Sequence, residues 1–137
     1  MTTNARCNCG AVTLEIGAEP VAQIHCHCKD CQRAHGAAYV SSAIYPAGAV
    51  TVVSGTLVPF VLQRTKRLRC SVCGMHMFSE IESVNLRSVN AYALPEGEFR
   101  PQFHLQCQDA VHPVLDNLPH FKAFPASFGG SDELVGW

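Results

Sequence analysis

His25-Cys26-His27-Cys28-Lys29-Asp30-Cys31 sets three cysteines within six positions and interleaves them with two histidines. Three thiols this close serve no packing purpose, and disulfide pairing would leave one over. One tetrahedral metal collects all three, because zinc–sulfur bonds are about 2.3 Å long and a curled loop can aim neighbouring thiolates at one point. Such a set leaves a fourth position open, as catalytic zinc does, whereas structural zinc has four protein ligands. The rest of the chain reads as the scaffold of this loop.

Working outward, the remaining cysteines are Cys7, Cys9, Cys70, Cys73 and Cys107. Cys7-Asn8-Cys9-Gly10 and Cys70-Ser71-Val72-Cys73-Gly74 are two knuckles, each closed by a glycine that can take the positive φ of a tight turn. Together they supply four thiolates, the donor set of a structural zinc. Such a site ties the N-terminal strand to the middle of the chain, and its binding free energy is folding free energy. Cys107 is left over. It reads as a buried small hydrophobe, the rival being a fourth ligand that closes the three-cysteine site.

Between the knuckles the pattern is that of short strands. Val12, Leu14 and Ile16 alternate with Thr13 and Glu15. Strands are expected over 21–24, 38–45, 49–53, 56–63, 77–81 and 84–94, separated by Gly and Pro turns. Pro59 confines its strand to an edge or a bulge. In 102–107 Phe103, Leu105 and Cys107 fall on one face. A short helical turn is expected over 32–36, and the best helix is predicted late, over 113–118, opened by Pro113 with Val114, Leu115 and Leu118 on one face. The fold class is therefore mainly β, with one short late helix, as a single domain over residues 1–137.

Hydrophobic residues are 47% and charged residues 15% of the 137 residues, a globular composition. The net charge of -1 argues against nucleic acid or an anionic membrane as the main partner. Arg64, Lys66, Arg67 and Arg69 read as a solvated strand face, with an anion-binding patch as the alternative. The first residues are polar with no apolar stretch after them, and no apolar run approaches the ~18 residues that span a bilayer. A cytoplasmic location is expected, where grouped cysteines are metal ligands rather than disulfides.

His25 and His27 alternate with the cysteines, so in extended chain they face away from the metal, and His27 reads as a neighbour of the site rather than a ligand. His76 follows the second knuckle and His104 precedes Cys107. These two are candidates for lining a pocket, and the other histidines are scattered.

The order C-x-C-G, C-H-C-x-x-C, C-x-x-C-G resembles the glutathione-dependent formaldehyde-activating family, which includes centromere protein V-like domains. The likeness runs through Cys7-Asn8-Cys9-Gly10-Ala11-Val12, Cys26 to Arg33 with Gly36, Arg69 to Gly74, His104 and Asp116-Asn117-Leu118-Pro119-His120-Phe121. It implies an Mss4-like fold of zinc-stabilised antiparallel sheets. It implies about two zinc ions per chain, a structural one on Cys7, Cys9, Cys70 and Cys73 and a second, open one on Cys26, Cys28 and Cys31. It also implies action on a glutathione adduct, the namesake reaction joining glutathione and formaldehyde into S-hydroxymethylglutathione. Arg6, Met75 and His112 depart from the family pattern. None is a ligand, but Met75 and His112 bear on the pocket and so on the substrate.

The expected function is that of a zinc-dependent carbon–sulfur lyase acting on an adduct of an aldehyde with glutathione or another small thiol. A zinc with an open position lowers the pKa of a bound thiol. Three thiolates make it a poor Lewis acid, so thiol binding is favoured over carbonyl activation. His27, His76 and His104 are the candidate bases. The alternative is a non-catalytic zinc-knuckle module that binds protein. A methionine sulfoxide reductase ranks low, because Ser88 stands where that chemistry needs a reactive cysteine.

Overall fold

A computed structural model describes residues 2–137. In chain order the strands are β1 (Thr3–Arg6), β2 (Thr13–Ile16), β3 (Ala22–Cys26), β4 (Val40–Pro46), β5 (Val50–Ser54), β6 (Leu57–Val61), β7 (Lys66–Cys70), β8 (His76–Ile81), β9 (Leu86–Asn90) and β10 (Phe103–Leu105). The α-helix among the described residues is α1 (Lys29–His35). The chain divides into two compact units. One comprises the residues up to Ala22 and Ala43–Arg100; the other comprises Gln23–Ser42 and Pro101–Trp137.

In the first unit β1, β2 and β5 form an antiparallel sheet with β2 in the middle. The last residues of β4 lead through β9, β8 and β7 to β6 at the edge of the other sheet. Alternation in β2 does what the sequence predicts: Leu14 and Ile16 are buried and Glu15 is exposed. They pack with Val12, Tyr45, Val50, Leu68, Met77, Phe78 and Val89 into one apolar core. Each large apolar side chain so buried contributes roughly 1.5–3 kcal/mol. The half-exposed Lys66–Glu80 pair at 4.0 Å adds at most about 1 kcal/mol. The core, not the ion pairs, holds this unit. Pro59 lies on edge strand β6, where its missing N–H costs no ladder bond.

Of the basic cluster, Arg64 is exposed and the three residues in β7 are each engaged with a neighbour or buried. Arg67 is buried, Arg69 lies over the Phe60 ring at 4.7 Å and donates to the Gly74 carbonyl, and Lys66 faces Glu80.

In the second unit β3 lies between β10 and the first residues of β4. β10 runs parallel to β3, with His104 opposite His25, so the sheets are mixed rather than purely antiparallel. The expected late helix does not form over 113–118. Six residues are too few for a helix to persist without tertiary support. Here Asp116 turns its carboxylate onto the Leu118 amide and onto two histidines instead. Helix forms earlier, over Lys29–His35, where Cys28 caps it. The alternation over 102–107 ends at Gln106, whose φ of 56° breaks the strand, so Cys107 is buried from a 3-10 turn rather than from a strand face. No helix of the described residues is long and apolar enough to cross a membrane.

Candidate metal centres and a histidine cluster

The two knuckles of the first unit converge. Gly10 (φ 81°) and Gly74 (φ 77°) turn the chain so that their amides donate to the Cys7 and Cys70 carbonyls. The sulfurs of Cys7, Cys9, Cys70 and Cys73 all lie within 4.8 Å of one another. Cys7 and Cys9 sulfurs are 3.5 Å apart and Cys9 and Cys70 sulfurs 3.7 Å. Four thiolates about 2.3 Å from a tetrahedral zinc stand about 3.8 Å from each other, so the spacing fits such an ion. Backbone amides of Val12 and Val72 point at the Cys7 and Cys70 sulfurs. Burial alone would push the Cys7 thiol up, but the Val12 amide and the other three cysteines bring it down to about 6.

The second unit gathers Cys26, Cys28 and Cys31, again with all sulfurs within 4.8 Å. β3 delivers Cys26 at its end, Cys28 caps α1 and Cys31 sits in the first turn. The Cys31 amide donates to the Cys28 sulfur at 3.2 Å, which fixes both directions. Gln32 ties the loop down, its amide donating to the carbonyls of His27 (2.7 Å) and Asp109 (2.8 Å). Contact with the Cys28 and Cys31 sulfurs, then burial, raises the Cys26 thiol well above its ordinary range. The donor set suits a soft or borderline cation such as zinc. Among the described residues no fourth cysteine, histidine or carboxylate joins this group, Cys107 included. None of the eight cysteines, all of them described, is in a disulfide.

The three histidine candidates separate. His76 belongs to the first unit, buried, with Nε2 2.8 Å from the Ser79 hydroxyl. His27 and His104 meet in the second, His27 Nε2 lying 2.8 Å from His104 Nδ1. Both rings are almost wholly buried. Burial first, then the neighbouring histidines His104, His25, His120 and His112, lower the pKa of His27 to about 4. His25 falls to about 4 for similar reasons, and its Nδ1 pairs with the Ser41 hydroxyl.

The cluster extends to residues to which the sequence reading gave no role. Residues 119–121 run beside β10, the His104 amide donating to the Pro119 carbonyl and the Phe121 amide to the His104 carbonyl. This pairing sets the His120 ring 4.7 Å from that of His104, which is also 4.7 Å from His25 across the β3 pairing. Asp116 accepts from His104 Nε2 at 2.7 Å and from His120 Nε2 at 2.8 Å. Tyr39 and Trp137 pack on the His27 ring, with centroids at 4.8 and 5.4 Å. The four-residue step from Asp116 to His120 was visible in the sequence. The strand pairing that brings both to His104 was not, because residues 119–121 have no strand periodicity.

The fold recurs in the crystal structure of a Rhodobacter sphaeroides protein, at 24% identity over 69% of this chain and 88% of that chain, with a TM-score of 0.56. A family model described as glutathione-dependent formaldehyde-activating enzyme matches residues 2–109. That span carries both cysteine sets, His27, His76 and His104, while Asp116, His120 and Trp137 lie beyond it. Matched over most of its length and through both knuckles and the three-cysteine loop, this chain belongs to the glutathione-dependent formaldehyde-activating enzyme family.

Proposed function

We propose that this chain is a zinc-dependent carbon–sulfur lyase that makes and breaks the adduct of an aldehyde with a small thiol, glutathione being the thiol the family description suggests. The observation that carries the reading is the three-sulfur group of Cys26, Cys28 and Cys31 with no fourth protein ligand among the described residues. A zinc ion held there would supply a fourth position at which a thiol is deprotonated near neutral pH. The four-thiolate group would hold a second zinc with a structural role.

In the synthetic direction the thiol sulfur attacks the carbonyl carbon, a carbon–sulfur bond forms, and the proton released by the thiol ends on the new hydroxyl oxygen. Cleavage is the reverse, and nothing is oxidised or reduced. A proton carrier is needed in both directions. His27, between Cys26 and Cys28 in sequence and neutral at physiological pH, is our candidate, with His104 behind it. His76, engaged with Ser79 in the other unit, is assigned no part. Eight cysteines without a disulfide suit a reducing compartment such as the cytoplasm.

Cobalt substitution tests the open position. Adding millimolar glutathione to the cobalt-loaded protein is expected to change the thiolate-to-cobalt absorption, and Cys28→Ser is expected to abolish the response. The wild type should also accelerate exchange between formaldehyde and S-hydroxymethylglutathione, and Cys28→Ser should not. A cobalt spectrum indifferent to thiol, with no metal released, sinks the reading and favours a protein-binding zinc module.

A further inference from the structure

We propose that His104, Asp116 and His120 form a metal site separate from both sulfur groups, taking a divalent first-row transition ion on two imidazoles and one carboxylate. The site does not depend on the thiol–aldehyde reading. Nor does the family match assign it, since Asp116 and His120 lie beyond residues 2–109.

Three stretches of the second unit deliver the ligands. β10 carries His104. Residues 119–121 pair beside it, and the Val135 amide donates to the His120 carbonyl, so the chain around His120 is held from two sides. Asp116 lies four residues before His120, in a turn that its own Oδ1 fixes by accepting from the Leu118 amide at 3.1 Å. The ligand atoms of all three residues lie within 4.8 Å of one another. His104 Nε2 is 2.7 Å from Asp116 Oδ2, and His120 Nε2 is 2.8 Å from Asp116 Oδ1, so each nitrogen meets its own carboxylate oxygen. Ligand atoms about 2.1 Å from an ion stand about 3.0 Å apart at an octahedral right angle and about 3.4 Å apart in a tetrahedron. The two N···O spacings are nearer the octahedral edge. Ring shifts of roughly a few tenths of an ångström would admit an ion in place of the bridging protons. Three protein ligands on one octahedral face leave further positions for water or a small ligand.

The surroundings suit a ligand set as well. Both rings are buried, while the Asp116 side chain is 31% exposed, which gives an ion a way in along the carboxylate. Metal-bound histidines almost always have their other ring nitrogen held by a neighbour. His104 Nδ1 is so held, 2.8 Å from His27 Nε2, so His104 keeps its place behind His27 while Nε2 faces the carboxylate. The donors also set this group apart from the cysteines. Two imidazoles and a carboxylate suit ions from iron(II) to zinc without the thiolates that favour the softest of them. The rival is a His–Asp–His group that only hydrogen-bonds. It has the same distances but takes up no ion.

Trp137 is the single tryptophan of the chain, and its ring centroid lies 4.7 Å from that of His120, so its fluorescence reports on the site. The full chain, loaded with one zinc per sulfur group, is titrated with cobalt(II) while fluorescence and absorption are both followed. Quenching of Trp137 is expected to saturate at one further equivalent. Weak ligand-field bands should accompany it, with no rise in sulfur-to-cobalt charge-transfer absorption. Asp116→Asn and His120→Gln are each expected to weaken this binding more than roughly 100-fold, beyond what loss of an outer-shell partner costs. No saturable quenching in the wild type, quenching that survives in either variant, or quenching that comes only with new sulfur-to-cobalt absorption overturns the proposal. Should a variant fail to fold, the paramagnetically shifted proton resonances of the cobalt-bound wild type decide. Imidazole signals from two histidines are expected there, and any other number overturns the site.

Discussion

Cys107 shows how a single thiol is assigned by its surroundings. Sequence left it between a buried small residue and a closing ligand. In the structure it is 5% exposed and stands outside the three-sulfur group. Burial, then the charge of Asp116, pushes its thiol up to about 12. A thiol that titrates near 12 in the folded chain and near 9.0 unfolded contributes stability that is whole below pH 9.0 and is lost as pH rises toward 12. The folded protein should therefore leave Cys107 unmodified by iodoacetamide at pH 8, and mass spectrometry of the digested product would read this. Cys107→Ala should cost about 1 kcal/mol, as a small deletion in a packed site does, and should keep the full metal content. Loss of one zinc equivalent from this variant would make Cys107 a ligand and close the site on which the enzyme reading depends.

At the scale of elements, the segments with strong period-two alternation were the ones the sequence placed well. β2 and β6 lie where alternation and Pro59 put them. The late helix expected over 113–118 does not form because the decisive bonds are tertiary, while the short helical turn expected over 32–36 overlaps α1. α1 buries none of its own residues, and a seven-residue helix is marginal without outside help. That help comes from the Cys28 cap and from Gln32, whose amide spans two carbonyls on different segments. Neither partner could be read from spacing. Gln32→Ala removes two donors at once, and each such bond contributes about 0.5–1.5 kcal/mol net. A loss of about 1–2 kcal/mol is expected, with amide exchange quickening across Lys29–His35 before it does in β7 and β8. Unchanged exchange in α1 would mean that the cap alone holds the loop.

For the whole molecule, the two sulfur groups were the most legible feature, because closely spaced cysteines with glycine turns bring their sulfurs together at spacings that could hold a metal ion. The histidine cluster was half legible. His27 and His104 were named from their neighbours in sequence, but Asp116, His120 and Trp137 reach them through pairings that no periodicity announces. The two sulfur groups share no residue and fall in different units, so their roles in stability should separate. Structural zinc in small peptides binds with about 10–16 kcal/mol, which matches or exceeds the 5–15 kcal/mol that holds an ordinary domain together. Cys7 and Cys70 bring distant parts of the first unit into its apolar core, so an ion held by this group would close that core and its loss would open it. Cys70→Ser should accordingly aggregate or lose its cooperative thermal transition. Cys28→Ser should lose one zinc equivalent, keep a cooperative transition and keep the near-ultraviolet signal of the packed Tyr45. Cys70→Ser that stays folded with a sharp transition would show that the core of the first unit needs no metal, and the structural assignment of the four-cysteine group would fall.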